Sequence, residues 1–585
     1  MPSLKPKQDD TKAAPGGKKG GNTPESREKS AIFWMAFFTI GLTCLPYYLG
    51  FWIAPESTQY VGYSYNIDDH YVYLAWTKQA SEGHFFTQNL FTTDRQPVLL
   101  FNLLFLFIGT LARIPGLSPW SANEICRVLA AAGLLTLVYH FLKLCIPQNR
   151  LARVAAFAFT CIGGGFGWIQ WSSWHDKNPP GGGPIDAFQP EAYTFNSIYL
   201  FVLFSVGLCL ILGTLYAMLR CQQTGKTRYA VIAGICALLA GNIHSYDIFH
   251  ICAAWGLFMI VYTIGRRGKG VGKLWLQSLL ALGMSMPTVL FTYYVYKHNS
   301  VFNARAHSDT TSPPIWKYIS GYGIEFVLAV AAVVILGLWL KKMRDTQVND
   351  DTPPDGWRDR ASALFVVCWA FAGLIVIYIP FMFQRKALMG EHIPLCILAG
   401  WGAAMLLRNL QTGKRIAIAG LLVAASAPSS FLYLARDFNH LQTGTSETSQ
   451  WQYFRPGEWD AIQYIAKNTP IDAPILAQPF QALYIPGVTG HPVWAGHWSE
   501  TPKYAEKKIA EYNSFAKARP AELYPRDQVD DFRKKFLTET KCQYLLYPID
   551  TSGTNYENFA GSPPPYLTPV YHNKQFVLFK IDLSH

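Results

Sequence analysis

Charge is scarce in this sequence. Asp, Glu, Lys and Arg make up only 15% of its 585 residues, against 50% hydrophobic and 15% aromatic. An ordinary soluble chain carries about 25% charged residues, so a water-solvated globule throughout is excluded. Ten of the 11 cysteines lie in or beside apolar segments, and Cys542 alone falls in the polar C-terminal tract, where no disulfide framework is possible. A convincing cleavable signal is missing too. Residues 1–30 are rich in Lys, Gly and Pro without apolar periodicity, and the apolar run behind them is too long for an h-region. The expectation is a disordered basic cytoplasmic tail followed by a signal anchor. The net charge of +12 does not indicate a nucleic-acid partner, because the basic residues lie in the tail and short loops rather than on one helical stripe.

Long apolar blocks are abundant instead. Residues 31–54, 121–146, 153–172, 196–220, 229–243, 248–265, 274–296, 323–340, 361–383, 392–407 and 415–435 each offer roughly 15 to 26 mostly apolar positions, where about 20 cross a bilayer. The chain reads as a polytopic α-helical membrane protein with about eleven spans. Residues 98–113 would reach only about 24 Å as a helix and are assigned to the interface. That assignment puts Lys5 to Lys29, Arg150 with Arg153, Arg220 to Arg228, Arg266 to Lys273, Lys341 to Arg360 and Arg408 to Arg415 on one side, as the positive-inside rule requires. The N-terminus is then inside and the C-terminus outside. The domain division is a tail at 1–30, a membrane domain at 31–437 with a first outer loop at 55–120, and a soluble α/β domain at 438–585.

Four polar constellations share the outer face on this topology. The first outer loop carries Asp68 and Asp69 in YSYNIDDHYVYLAW and Arg95 in TTDRQP; adjacent carboxylates beside a membrane mark a site. Asp68 also suits the N-cap of the following helix. Glu191 stands in the loop at 173–195 just before a span, where it could equally serve the start of that helix. His244, Tyr246 and Asp247 interrupt an apolar run in GNIHSYD, either as ligands or as an internally paired turn. Arg385, Lys386, Glu391 and His392 lie in FQRKALMGEHIP. Cations held outside against the positive-inside bias imply an anionic ligand, and phosphate suits a guanidinium fork.

The segments DDHYVYLAWTKQASEGHFFTQNLFTTDRQPVLLFNLLF, PEAYTFNSIY, GNIHSYD, FQRKALMGEHIPL and AGHWSETP resemble bacterial members of the GT-C superfamily of membrane glycosyltransferases. Protein O-mannosyltransferases and the aminoarabinose transferases of lipid A belong to that superfamily. The WWDYG-type signature of oligosaccharyltransferases is lacking. The resemblance implies a donor sugar linked to a polyprenyl phosphate, transfer with inversion to an unspecified extracytoplasmic acceptor, and residence in the bacterial cytoplasmic membrane. It implies that Asp68 or Asp69 is the general base and that Arg385 and Lys386 stabilise the departing lipid phosphate. Glu191, His244, Tyr246, Asp247, Glu391, His392 and Arg95 remain for sugar, acceptor or phosphate. A divalent metal ion is the one cofactor left open, with Asp69 and Glu191 as its ligands.

In the last tract, PGEWDAIQYIAKNT has helical periodicity, APILAQ, CQYLLYP and QFVLFKI read as strands, and 503–517 and 526–539 as charged surface helices. AGHWSETP is a loop that could turn toward the cavity. The alternative function is a transporter or flippase, which would serve its substrate with polar groups at membrane depth; no internal repeat between the halves supports it. A scaffold displaying the C-terminal domain leaves the Asp pair and Arg385 unexplained.

Overall fold

The computed structural model describes residues 23–114, 117–170, 183–306, 310–345, 352–380, 382–444, 452–519, 525–551 and 553–584. Most of the expected basic tail and part of the loop at 173–195 lie outside these residues. Helix α1 (Pro24–Trp52) starts where Thr23 Oγ1 accepts the Ser26 amide and Pro24 fills a first-turn position that needs no N–H. Residues 24–30, expected to be disordered, are therefore helical: the cap, rather than hydrophobicity, sets this helix end.

The outer loop follows with β1 (Gln59–Tyr60), α2 (Ile67–Glu82) and α3 (Leu103–Ala112). The bundle continues through α4 (Pro119–Cys145), α5 (Arg150–Ile162), α6 (Val202–Thr224), α7 (Thr227–Ile243), α8 (Asp247–Gly265) and α9 (Gly272–His298). It closes with α10 (Ile315–Asp345), α11 (Arg360–Val376), α12 (His392–Leu406), α13 (Thr412–Ser426) and α14 (Pro428–Thr443). Among the described residues seven helices are long and apolar enough to cross a membrane, α5 being counted with its continuation to Gln170, and α13 with α14, bent by 41° at their break, make an eighth if taken as one span. The shorter apolar helices α7, α11 and α12 occupy the three other positions where the sequence predicts a span. Helix α3, 10 residues long, reaches only about 15 Å and cannot cross.

Helix α12 shows how the bundle is held. All but the last residue of HIPLCILAGWGAAML is buried, so this helix is apolar all round and sits at the centre. Gly400 meets the α5 backbone at Ala156, and Gly402 meets Leu328 O of α10, so the two glycines let neighbours approach from different sides. Helix α10 kinks at Gly323, whose φ of +48° only glycine adopts readily.

The basic loops gather at one end. Arg153 bonds Glu28 (Nε to Oε1, 2.7 Å), Lys143 pairs with Glu25 at 3.3 Å, and the Arg358 amide donates to Cys145 O at 2.8 Å. Gln277 donates to Gly225 O at 3.2 Å and Trp401 to Asp355 O at 2.7 Å. This side-by-side arrangement is what the charge partition across the spans requires.

Helix α14 carries the chain past residue 438 to Thr443, where Gly444 caps it in the left-handed conformation. Beyond it lie β2 (Tyr453–Phe454), α15 (Glu458–Asn468), β3 (Ile475–Leu476), α16 (Ile509–Ala516), α17 (Arg526–Thr540), β4 (Tyr544–Pro548), β5 (Leu567–His572) and β6 (Phe576–Ile581). A four-stranded sheet in the order β3-β4-β6-β5 pairs β3 parallel to β4 and the rest antiparallel. This tract is stitched to the first outer loop. β1 pairs antiparallel with β2, the Val493 amide donates to Leu90 O at 2.8 Å, and Thr501 Oγ1 donates to Phe91 O at 2.6 Å.

Candidate active site

A cavity of about 350 Å³ opens at the end of the bundle away from the basic loops, within the ~300–1,000 Å³ typical of small-molecule sites. Asp69, Glu191, His244, Tyr246, Arg385 and Lys386 all line it. Four segments far apart in sequence thus bring these residues to one space.

Asp69 arrives on the first turn of α2. Asn66, just before the helix, has φ 52° and ψ 43°, a left-handed conformation that asparagine tolerates better than most residues. Its Nδ2 donates to Asp69 Oδ2 at 2.7 Å. The next residue, His70, stacks on Tyr63 with ring centroids 3.7 Å apart, and burial holds its imidazole well below the ordinary pKa despite the nearby Asp69 charge. A neutral, stacked His70 pins the turn that presents Asp69. Asn66→Ala would leave a Cβ in a left-handed backbone without the polar side chain that makes asparagine tolerate it, and would remove a donor to the Asp69 carboxylate, an expected loss of about 1–3 kcal/mol. Asn66→Gly keeps the backbone relaxed and loses only the side-chain bond. Thermal unfolding of the two variants should therefore show a clearly lower midpoint for alanine than for glycine; equal midpoints would remove the backbone argument.

Asp68 faces away from the cavity. Its Oδ2 accepts from Trp498 Nε1 at 2.8 Å, and His497 Nε2 lies 3.9 Å from it and 3.6 Å from Asp69 Oδ1. The AGHWSETP loop, expected to turn toward the cavity, reaches the Asp pair without lining the cavity itself.

Cations occupy another wall. Arg385 and Lys386 sit on a short 3-10 turn, Gln384–Leu388. Arg385 Nε lies 3.3 Å from Glu191 Oε1, its guanidinium 5.4 Å from the Phe188 ring centre, and Lys386 Nζ 5.0 Å from that of Tyr246. Glu191 holds the guanidinium by charge and Phe188 by its face, while Tyr246 offers its face to the Lys386 ammonium.

His244 ends α7 and Asp247 begins α8; Nδ1 of the first lies 2.6 Å from Oδ1 of the second. Asp247 is buried and touches the cavity only through His244. With Nδ1 donating to that carboxylate, Nε2 is left as the acceptor nitrogen.

The structure places the other sequence candidates elsewhere. Glu391 is fully buried against Gly373 and His250, and neither carboxylate oxygen has a hydrogen-bond partner among the described residues. His392 pairs inside the bundle with Glu325 (Nε2 to Oε2, 3.0 Å) and with Thr194 Oγ1 at 3.1 Å. Both follow α12 into the core, so neither contributes to the cavity. Arg95 lines a separate open groove of about 570 Å³ with Asp94 and Lys541. Among the described residues the one three-ligand cluster is Glu325, His392 and Cys396, and no third His, Cys, Asp or Glu closes on Asp69 and Glu191. Glu191 is already paired to Arg385.

Sequence reasoning passed over the aromatic lining, including Tyr73, Trp76, Phe201, Phe204 and Tyr296. The spacing of Tyr73 and Trp76, three apart on one helix face, was the available signal. Asn66, beside the pair, had none beyond adjacency.

No protein-family model matches the chain, and no curated protein does. Among solved structures, ArnT from Cupriavidus metallidurans bound to undecaprenyl phosphate superposes with a TM-score of 0.50 at 15% identity, covering 93% of this chain and 97% of that one. ArnT from the same organism in the apo state gives a TM-score of 0.49 at 16% identity over 95% and 99%. Taken with the apolar helices, the superposition on the first of these makes the chain a multi-pass helical membrane protein with a fold like that of ArnT.

Proposed function

We propose that the protein is a membrane glycosyltransferase that moves a sugar from a polyprenyl-phosphate donor to an extracytoplasmic acceptor with inversion. The observation that carries this reading is one cavity with a carboxylate, Asp69, on one wall and the cations Arg385 and Lys386 on another. The acceptor hydroxyl gives its proton to Asp69 as its oxygen bonds the anomeric carbon. The bond from that carbon to the lipid phosphate breaks on the opposite face, and the phosphate leaves with the electron pair. Arg385 and Lys386 offset the developing charge in a poorly hydrated site. His244 Nε2 and the aromatic walls orient the sugar. The fold shared with an ArnT bound to undecaprenyl phosphate supports a donor of this lipid class.

The test uses purified full-length protein with undecaprenyl-phosphate hexose and pentose donors. Release of undecaprenyl phosphate in detergent, to a hydroxyl acceptor or slowly to water, supports transfer. Movement of intact donor across vesicles without cleavage makes the protein a flippase instead.

The reading places the protein in the bacterial cytoplasmic membrane with the basic loops inside and the 438–585 tract, as a soluble domain, outside. Ser584→Cys is expected to react with an impermeant maleimide in intact cells above the background of the native cysteines. Protection of that position, with labelling of a cysteine at Asp345, would invert the topology.

A further inference from the structure

The sequence around His497 sits in the tract least like a membrane enzyme, yet it meets the Asp pair. His497 is fully buried, and its Nδ1 accepts from the amides of Ser499 at 3.1 Å and Glu500 at 3.2 Å. Burial opposes a charged imidazole while the Asp69 and Asp68 carboxylates favour one, and the net pull is upward. A second proton would nevertheless have to sit on Nδ1, facing those two amide N–H groups. The ring is therefore held as the tautomer with its hydrogen on Nε2, and Nε2 has no hydrogen-bond partner among the described residues. Nε2 faces both carboxylates, 3.6 Å from Asp69 Oδ1 and 3.9 Å from Asp68 Oδ2.

Trp498 adds a second donor. Its ring is 55% exposed, so little packing requires it there, yet Nε1 donates to Asp68 Oδ2 at 2.8 Å. The loop itself is braced: Thr501 Oγ1 accepts from the Gly496 and His497 amides, and Asn89 of the outer loop donates to Glu500 O at 2.8 Å. Two N–H groups from the C-terminal tract are thus aimed at carboxylates of α2, and of those carboxylates only Asp69 lines the cavity.

We propose that His497 and Trp498 are positioning residues for the base: they hold Asp68 turned from the cavity and keep Asp69 aimed into it, so that the C-terminal tract completes the site. This rests on the transfer reading above. Two adjacent carboxylates on one turn repel each other, and a donor facing both removes the drive for Asp69 to swing away.

The test measures turnover of undecaprenyl-phosphate sugar by full-length protein, with binding of undecaprenyl phosphate read separately. Trp498→Phe, which loses a hydrogen bond to a charged group, and His497→Phe, which loses the N–H that faces both carboxylates, are expected to lower kcat about tenfold or more with donor KM unchanged. His497→Gln, which returns an N–H at similar reach, should recover most of that loss. Parental kcat in Trp498→Phe and His497→Phe overturns the proposal, as does a deficit in His497→Gln equal to that of His497→Phe. If His497→Phe fails to fold, the half-exposed Trp498→Phe decides alone. Asp69→Asn runs beside them: if it too turns over normally, the base assignment has failed; if it is inactive while the loop variants are normal, only the positioning role has.

Discussion

Asp69→Asn is expected to lower sugar transfer by about 10²–10⁴-fold with binding of undecaprenyl phosphate intact, the range that general-base help supplies. Asparagine keeps the size of the side chain and can still bond Asn66, so the fold of the α2 turn should survive. What it loses is the basicity that takes the acceptor's proton. Asp68→Asn is expected to lose less, because Asp68 turns to Trp498 and lines no part of the cavity. The comparison has a built-in control: if the two variants fail equally, the pair acts as one structural unit. If both transfer sugar at the parental rate, the catalytic reading is wrong and translocation becomes the better account.

The spans were legible because burial in lipid demands apolar residues in runs of about 20, a constraint that composition alone exposes. Helix ends were less legible. Thr23 and Pro24 start α1 before its apolar run, and Gly323 kinks α10 where the predicted span began. β5 escaped notice for a physical reason: it is an edge strand with Pro569 inside it and most of its residues partly or fully exposed, so the alternation that marks a strand is absent. The site was legible as residue types but not as a grouping. Arg385 and Lys386 line the cavity while Glu391 and His392, a few positions on, are drawn into the core, because the chain passes from a 3-10 turn into a helix buried all round. Asp68 and Asp69 diverge within a single turn of α2. Such divergence depends on which face each side chain leaves, and that is fixed by tertiary neighbours such as Trp498.

Arg385→Ala is expected to weaken binding of undecaprenyl phosphate by about 1.5–3 kcal/mol, roughly ten- to 150-fold, if its guanidinium bonds the lipid phosphate. Two effects add. The charge-assisted bond is lost, and Glu191, only 7% exposed and now without the guanidinium at 3.3 Å, becomes an uncompensated carboxylate near the phosphate. Arg385→Lys should restore part of the affinity, since it returns the charge but not the planar fork that satisfies two phosphate oxygens at once. The double variant Arg385→Ala with Glu191→Gln separates the contributions. Recovery on adding Glu191→Gln measures the repulsion, and the deficit that remains measures the bond. Because the departing phosphate gains charge in the transition state, kcat should fall along with affinity, more steeply than in a variant that removes ground-state binding alone. Unchanged affinity and kcat in a folded Arg385→Ala protein would show that Glu191 is this arginine's whole purpose, and the anion would then have to be sought at Lys386.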